Sequence, residues 1–151
     1  MTPTITRADV GTLDDLTPLF DAYRRFYDQP GDLLRAHSFL HERLTRGESV
    51  IFLARLREVP VGLTQLYPSF TSVGTARIWI LNDLFVDEAA RGQGVGRALL
   101  RAAFDFAQED GAARLTLNTA RDNVTAQALY EAEGWVRDQQ FFAYNKPVGD
   151  A

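Results

Sequence analysis

Apolar positions recur along this chain with two different periods, and each switch of period marks a new element. Thr4-Ile5-Thr6-Arg7 alternates polar with apolar, the spacing of a short strand. Leu16, Leu19, Phe20, Tyr23, Phe26 and Tyr27 recur at helical spacing, which predicts a helix capped by Asp14 and running to about Asp28. Pro18 then falls in the first turn or just past it; a start at Thr17, with Pro18 as first helical residue, is the alternative. Gln29-Pro30-Gly31 stops this helix. A second helix is expected from about Asp32 to Arg46, on Leu33, Leu34, Phe39, Leu40 and Leu44, with Gly47 closing it. Ser49 to Arg55 is a strand rich in β-branched and aromatic residues. The turn Arg57-Glu58-Val59-Pro60 joins it to a second strand, Val61 to Tyr67, and Pro68 to Gly74 reads as a polar connection. Arg77 to Val86 is almost continuously apolar, as in a strand covered on both faces. A helix from Gly94 to about Glu109 follows, with Val95, Leu99, Ala103 and Phe106 as its stripe and Gly111 as its stop. Arg114 to Asn118 is a strand, Asn123 to Glu133 a helix ended by Gly134. Trp135-Val136-Arg137 and Phe141 to Tyr144 complete the prediction as a final strand pair. With no repeat, low-complexity run or linker, a single domain over residues 1–151 is expected. Its class is α/β, with a central mixed sheet and helices on both faces.

Composition narrows the class of ligand. The net charge of −4 argues against nucleic acid, whose phosphates need a basic surface. There is no cysteine, so disulfides, cysteine zinc sites and a cysteinyl acyl-enzyme are excluded. His37 and His41 lie four apart without a third ligand signal, so they read as solvated or packed residues and no metal is expected. Met1 to Val10 lacks the apolar core of a signal peptide, and Asn82 and Asp83 interrupt the most hydrophobic stretch. No membrane span and a cytoplasmic location are therefore expected.

The chemistry concentrates in Leu84-Phe85-Val86-Asp87-Glu88-Ala89-Ala90-Arg91-Gly92-Gln93-Gly94-Val95-Gly96. A strand ends, a short loop follows, and glycine-spaced residues open a helix. A helix start has backbone N–H groups without intrahelical partners, and glycines let a phosphate reach them without meeting a Cβ. Arg91 adds a fixed positive charge. No Gly-Lys-Ser or Gly-Lys-Thr occurs, so this is not a P-loop; after Gly94 and Gly96 come Arg97, Ala98 and Leu99, so the third glycine of a dinucleotide fingerprint is missing. What remains is Arg-x-x-Gly-x-Gly, filled by Arg91, Gly94 and Gly96. A second constellation lies in the segment from Asn123 to Trp135. Asn123 and Tyr130 are seven residues apart, almost two helical turns, so both face one way with Gln127 between them. Alone, they read rather as a helix cap and a packing tyrosine than as a cofactor contact.

With these motifs the chain resembles the GCN5-related N-acetyltransferase superfamily over most of its length, closest to the diamine and histone-type enzymes. The resemblance implies the acyl-CoA N-acyltransferase fold, with a strongly twisted mixed sheet. It implies acetyl-coenzyme A as co-substrate, its diphosphate on the N–H groups of Arg91, Gly92, Gln93, Gly94, Val95 and Gly96. The pantetheine arm would pair with Leu84, Phe85 and Val86 like an added strand, near Asn123 and Tyr130. A backbone N–H near Leu84 or Phe85 would polarise the thioester carbonyl. The implied reaction is direct attack of a primary amine in a ternary complex, the amine being a polyamine, an amino acid or a lysine side chain. Tyr130 would give a proton to the departing thiolate. Asp83 is the candidate base, directly or through water, with Glu88 as a lesser one. The diamine enzymes carry Glu-Asp where this chain has Asn82-Asp83, so Asp83 is equally readable as a structural acceptor. Tyr23, Tyr27 and Asp28, with Trp79 and Asn82, are the candidate acceptor-site residues; Tyr144 is a further aromatic that would line the site, and Phe26 reads equally as core. A homodimer is expected from the resemblance. A non-catalytic acyl-coenzyme A sensor is the alternative function, and acetylation of charged tRNA a third that the net charge disfavours.

Overall fold

A computed structural model describes residues 2–149. Met1, Asp150 and Ala151, the ends of the expected domain, lie outside the described residues. The chain divides into two compact units, Met1–Asn118 and Thr119–Ala151.

The first unit holds a five-stranded mixed sheet in sequence order. Strands β1 (Thr4–Arg7), β2 (Val50–Leu56), β3 (Val59–Thr71) and β4 (Ala76–Val86) pair antiparallel, and β5 (Arg114–Thr116) runs parallel to β4. Helices α1 (Leu13–Phe26) and α2 (Leu33–Thr45) separate β1 from β2, and α3 (Val95–Glu109) links β4 to β5. Alternation along β2 feeds two cores. Ile51 and Leu53 pack with Leu16, Phe20, Ala36 and Leu40 of α1 and α2. Ala54 and Leu56 pack with Val95 and Leu99 of α3. Helices thus cover both faces, as expected.

Two register shifts decide which side chains share a face. Ala54 pairs with Gly62 but Arg55 pairs with Pro60, leaving Val61 as an extra residue. Gln65 pairs with Asp83 but Leu66 pairs with Leu81, leaving Asn82 as an extra residue in β4. Each is a β-bulge, and each reverses the alternation beyond it. Trp79 therefore meets Phe106 of α3, with ring centroids 5.0 Å apart, while Phe85 sits in the α1–α2 core.

Several elements differ from the sequence reading. The first helix is not capped by Asp14. Asp9 Oδ1 accepts from the Gly11 N–H and Thr12 Oγ1 from the Asp9 N–H, so a 3-10 turn, Val10–Thr12, leads into α1 one turn earlier. Pro18 is then inside α1, where Thr17 Oγ1 donates to the Leu13 carbonyl at 2.7 Å. Pro68 to Thr71 is not loop but continues β3, paired with Ala76 to Trp79. Pairing with β2 ends at Leu66, so Pro68 lies where β3 has β4 as its one strand neighbour among the described residues, the edge position that tolerates proline. In the second unit, α4 (Val124–Ala132) forms as expected, but Trp135 to Arg137 and Phe141 to Tyr144 form no strand pair. Val136, Phe141, Phe142 and Tyr144 are 79–92% exposed, so no buried face fixes a register for them.

Candidate active site

The bulge at Asn82 turns Asp83 toward α1. Asp83 is only 5% exposed. Its Oδ2 accepts from Gln65 Nε2 at 2.7 Å and its Oδ1 from Asn82 Nδ2 at 3.1 Å, while the Tyr23 hydroxyl bonds it from α1. Thr64 Oγ1 donates to the Asp83 carbonyl at 2.8 Å. Burial pushes the Asp83 carboxyl above the ordinary aspartate range, and the bonds from Gln65, Tyr23 and Asn82 hold it back only in part. The carboxylate acts on its neighbours in turn. Tyr23 is raised well above the usual phenol range by burial and then by Asp83. Tyr67 is pushed up to about 12 by burial and then by Asp83, against the pull of the Arg43 charge and of Gln65. Gln65 Oε1 is buried without a partner among the described residues.

Aromatic rings extend from this cluster to the surface. Tyr23 lies 6.0 Å from Phe85 and 5.2 Å from Tyr27, and Phe26 lies 5.2 Å from Tyr27 and 6.4 Å from Phe85. Phe26 and Tyr27 are more than half exposed, so Phe26 is not a core residue. Asp28 follows them, exposed and with φ of 63°. Of the expected acceptor-site residues, Tyr23 and Asn82 bond Asp83, and Tyr27 joins them through the Tyr23 ring. Trp79 does not: it lies on the α3 face, its indole N–H donating to Asp110 at 2.9 Å. Tyr144 lies in the second unit and is exposed. Gln65 and Tyr67 were not singled out by the sequence reading, although a glutamine inside an apolar strand is itself a signal.

Beyond Asp83, the β4 edge is open. Pairing with β5 stops at Ile80, so Leu84, Phe85 and Val86 have strand partners only on the β3 side among the described residues. At the end of that edge stands the glycine turn. Gly92 and Gly94 adopt φ of 79° and 80°, the left-handed region that favours glycine. A Cβ at either would meet no atom within 4 Å, so neither glycine is there to clear room for the chain's own atoms. Gly94 precedes α3 with no side-chain cap. Among the described residues, the N–H groups of Gly92, Gln93, Gly94, Val95 and Gly96 donate to no backbone carbonyl. Uncapped donors beside open space and an unpaired strand edge fit a diphosphate joined to an extended amide arm. The Arg91 N–H, expected among the free donors, instead donates to the Glu88 carbonyl at 3.3 Å. The Arg91 Nε donates to the Val86 carbonyl at 3.0 Å, and its guanidinium stands 5.6 Å over Phe26 and 5.9 Å over Phe85.

In the second unit, Asn123 caps α4, its Oδ1 accepting from the Ala126 N–H at 3.2 Å. Gln127 Nε2 donates to the Ala120 and Arg121 carbonyls, both at 3.0 Å, and so fixes the loop before the helix. The Trp135 N–H closes the helix end on the Tyr130 carbonyl at 3.0 Å, around Gly134 at φ 89°. The Tyr130 ring packs 6.2 Å from Trp135. His37 and His41 stack at 6.0 Å, and among the described residues no three histidine, aspartate or glutamate side chains gather as a metal site.

Comparison with known proteins gives this geometry its context. The sequence model of the acetyltransferase (GNAT) family matches residues 13–135. An uncharacterized N-acetyltransferase, YhfO of Bacillus subtilis (strain 168), is 49% identical over 129 residues, which are 85% of this chain and 87% of the relative. A probable acetyltransferase of Haemophilus influenzae (strain Rd) is 32% identical over 130 residues, with the same coverage of 85% and 87%. The crystal structure of a probable acetyltransferase superposes with a TM-score of 0.92 at 43% identity, over 98% of this chain and 99% of that one. The chain belongs to the acetyltransferase (GNAT) family and is an acetyl-coenzyme A-dependent N-acetyltransferase.

Proposed function

We propose that this enzyme moves an acetyl group from acetyl-coenzyme A directly to a primary amine within a ternary complex, with Asp83 as base and Tyr130 as acid. Bound acetyl-coenzyme A supplies the acetyl thioester. The N–H groups from Gly92 to Gly96, beside the Arg91 charge, would hold its diphosphate, Leu84 to Val86 its amide arm, and Asn123 and Tyr130 would contact it as the family resemblance implies, Tyr130 at the sulfur. Asp83 takes the proton that the attacking nitrogen must lose, and Tyr130 Oη gives one to the departing sulfur. The observation that carries the reading is Asp83 itself. A buried carboxyl raised above its ordinary range is a stronger base than a surface aspartate and needs a reason to be kept. With no cysteine in the chain, a cysteinyl acyl-enzyme is unavailable and direct attack is the simplest route.

The test is thiol release from acetyl-coenzyme A across an amine panel of polyamines, amino acids and lysine peptides. Rates should rise with pH through the Asp83 transition, because only the ionised carboxylate accepts a proton. Asp83→Asn should remove that limb and lower kcat by about 10²-fold or more. An unchanged rate and profile would refute the base role. Tyr130→Phe should lower kcat with little change in the KM for acetyl-coenzyme A.

We further propose one domain spanning both units, since the family match runs continuously from 13 to 135. A homodimer is proposed on the family resemblance, and the cytoplasm as the compartment that supplies the co-substrate. No helix among the described residues is long and apolar enough to cross a membrane.

A further inference from the structure

Three acceptor classes are compatible with acetyl transfer to an amine, and the surroundings of Asp83 separate them. We infer that the acceptor is a singly charged primary amine on an aromatic or apolar body, its nitrogen directed to Asp83 and its body lying on Tyr27 and Phe26. The inference rests on the acetyl-transfer reading and narrows it.

The first ground is exposure. Phe26 is 56% and Tyr27 54% exposed, yet both belong to the ring array that reaches the buried carboxylate through Tyr23 and Phe85. Apolar surface left open and continuous with a buried acid is the usual build of a small-molecule site. The second ground is charge. No second carboxylate acts on Asp83, Tyr23 or Tyr67 among the described residues; the other charge felt there is the Arg43 cation on Tyr67. At the outer end the Arg91 guanidinium covers Phe26 and Phe85. One ammonium is matched by one carboxylate. Each further ammonium of a polyamine or aminoglycoside would lie beyond Asp83, where the Arg91 and Arg43 guanidinium groups oppose it and the acid that follows the rings, Asp28, is exposed to solvent.

Thiol release at saturating acetyl-coenzyme A should be compared for 2-phenylethylamine, n-propylamine and spermidine. The expected kcat/KM for 2-phenylethylamine is at least about tenfold above the other two, the range a few buried carbons supply. Tyr27→Ala and Phe26→Ala, both at exposed positions, should each shrink the ratio of 2-phenylethylamine to n-propylamine by about fivefold to tenfold. Spermidine equal to or better than 2-phenylethylamine would overturn the inference and leave acetyl transfer standing. An unchanged ratio in both variants, with a dimer turned to monomer in sedimentation, would give the rings to a second copy and overturn it too. Release with none of the three amines would overturn it together with the small-amine reading of the function.

Discussion

At the scale of the residue, Asp83 has a cost that can be measured. Its folded pKa is raised above the unfolded value of about 3.8, so the folded state holds a proton over a range where the unfolded chain has lost it. The sign follows: the contribution of Asp83 to stability is complete below the unfolded pKa and declines as pH rises through the folded one. In chemical denaturation from pH 4 upward, Asp83→Asn should therefore show a weaker pH dependence than the parent chain. Gly94 makes a second residue-scale prediction. At φ 80° any other L-residue is strained by about 1–2 kcal/mol, yet a Cβ there touches nothing within 4 Å. Gly94→Ala should fold, with a small loss of Tm, and should raise the KM for acetyl-coenzyme A by about tenfold as the turn opens. A KM unmoved by this change would separate the turn from the diphosphate.

At the scale of the element, the contact between β3 and α3 holds that turn in place. Gly62 lies under the start of α3, where a Cβ would stand 2.9 Å from the Phe85 carbonyl oxygen and 3.2 Å from Val95 Cγ1. Gly62→Ala must push the helix or β4 outward, at about 1–3 kcal/mol in urea denaturation, and the displaced helix start should weaken acetyl-coenzyme A binding as well. Much of this level was legible in the sequence. Helical spacing located α1 to α4, and the Arg-x-x-Gly-x-Gly pattern located the turn, because both are local. What was not legible depends on pairing between distant segments. Gln65 and Tyr67 join the site only because β3 lies opposite β4 in one particular register. Trp79 was misplaced because it precedes the shift at Asn82 and Asp83 follows it. The alternation at Trp135 to Tyr144 was real, but alternation makes a strand only where a partner and a covered face exist.

At the scale of the whole molecule, the acidic balance and the two-sided sheet were readable from composition and period, whereas the acceptor was not. Acceptor preference lies in exposed rings such as Phe26 and Tyr27, whose helical spacing is the same as that of core residues. A global readout of the cofactor site follows from mass action. Acetyl-coenzyme A at about 100 times its Kd should add about 2.7 kcal/mol to stability, a rise in Tm of about 5–10 °C for a chain of this size. Gly94→Ala should need about tenfold more ligand for the same shift.

The extra residue in β4 lets Trp79 and Asp83, four apart, lie on opposite flanks of the sheet. Were Asn82 deleted, the two would stand three apart, an odd spacing that plain two-residue periodicity also keeps on opposite flanks, so the carboxylate would stay with Tyr23 and lose only the Asn82 amide beside it. The strand would turn over only if Asn82 were drawn into the ladder with no residue removed, for Trp79 and Asp83, four apart, would then share one flank. Relatives that align here with a one-residue gap would keep a carboxylate on the same face, without an amide next to it in the strand.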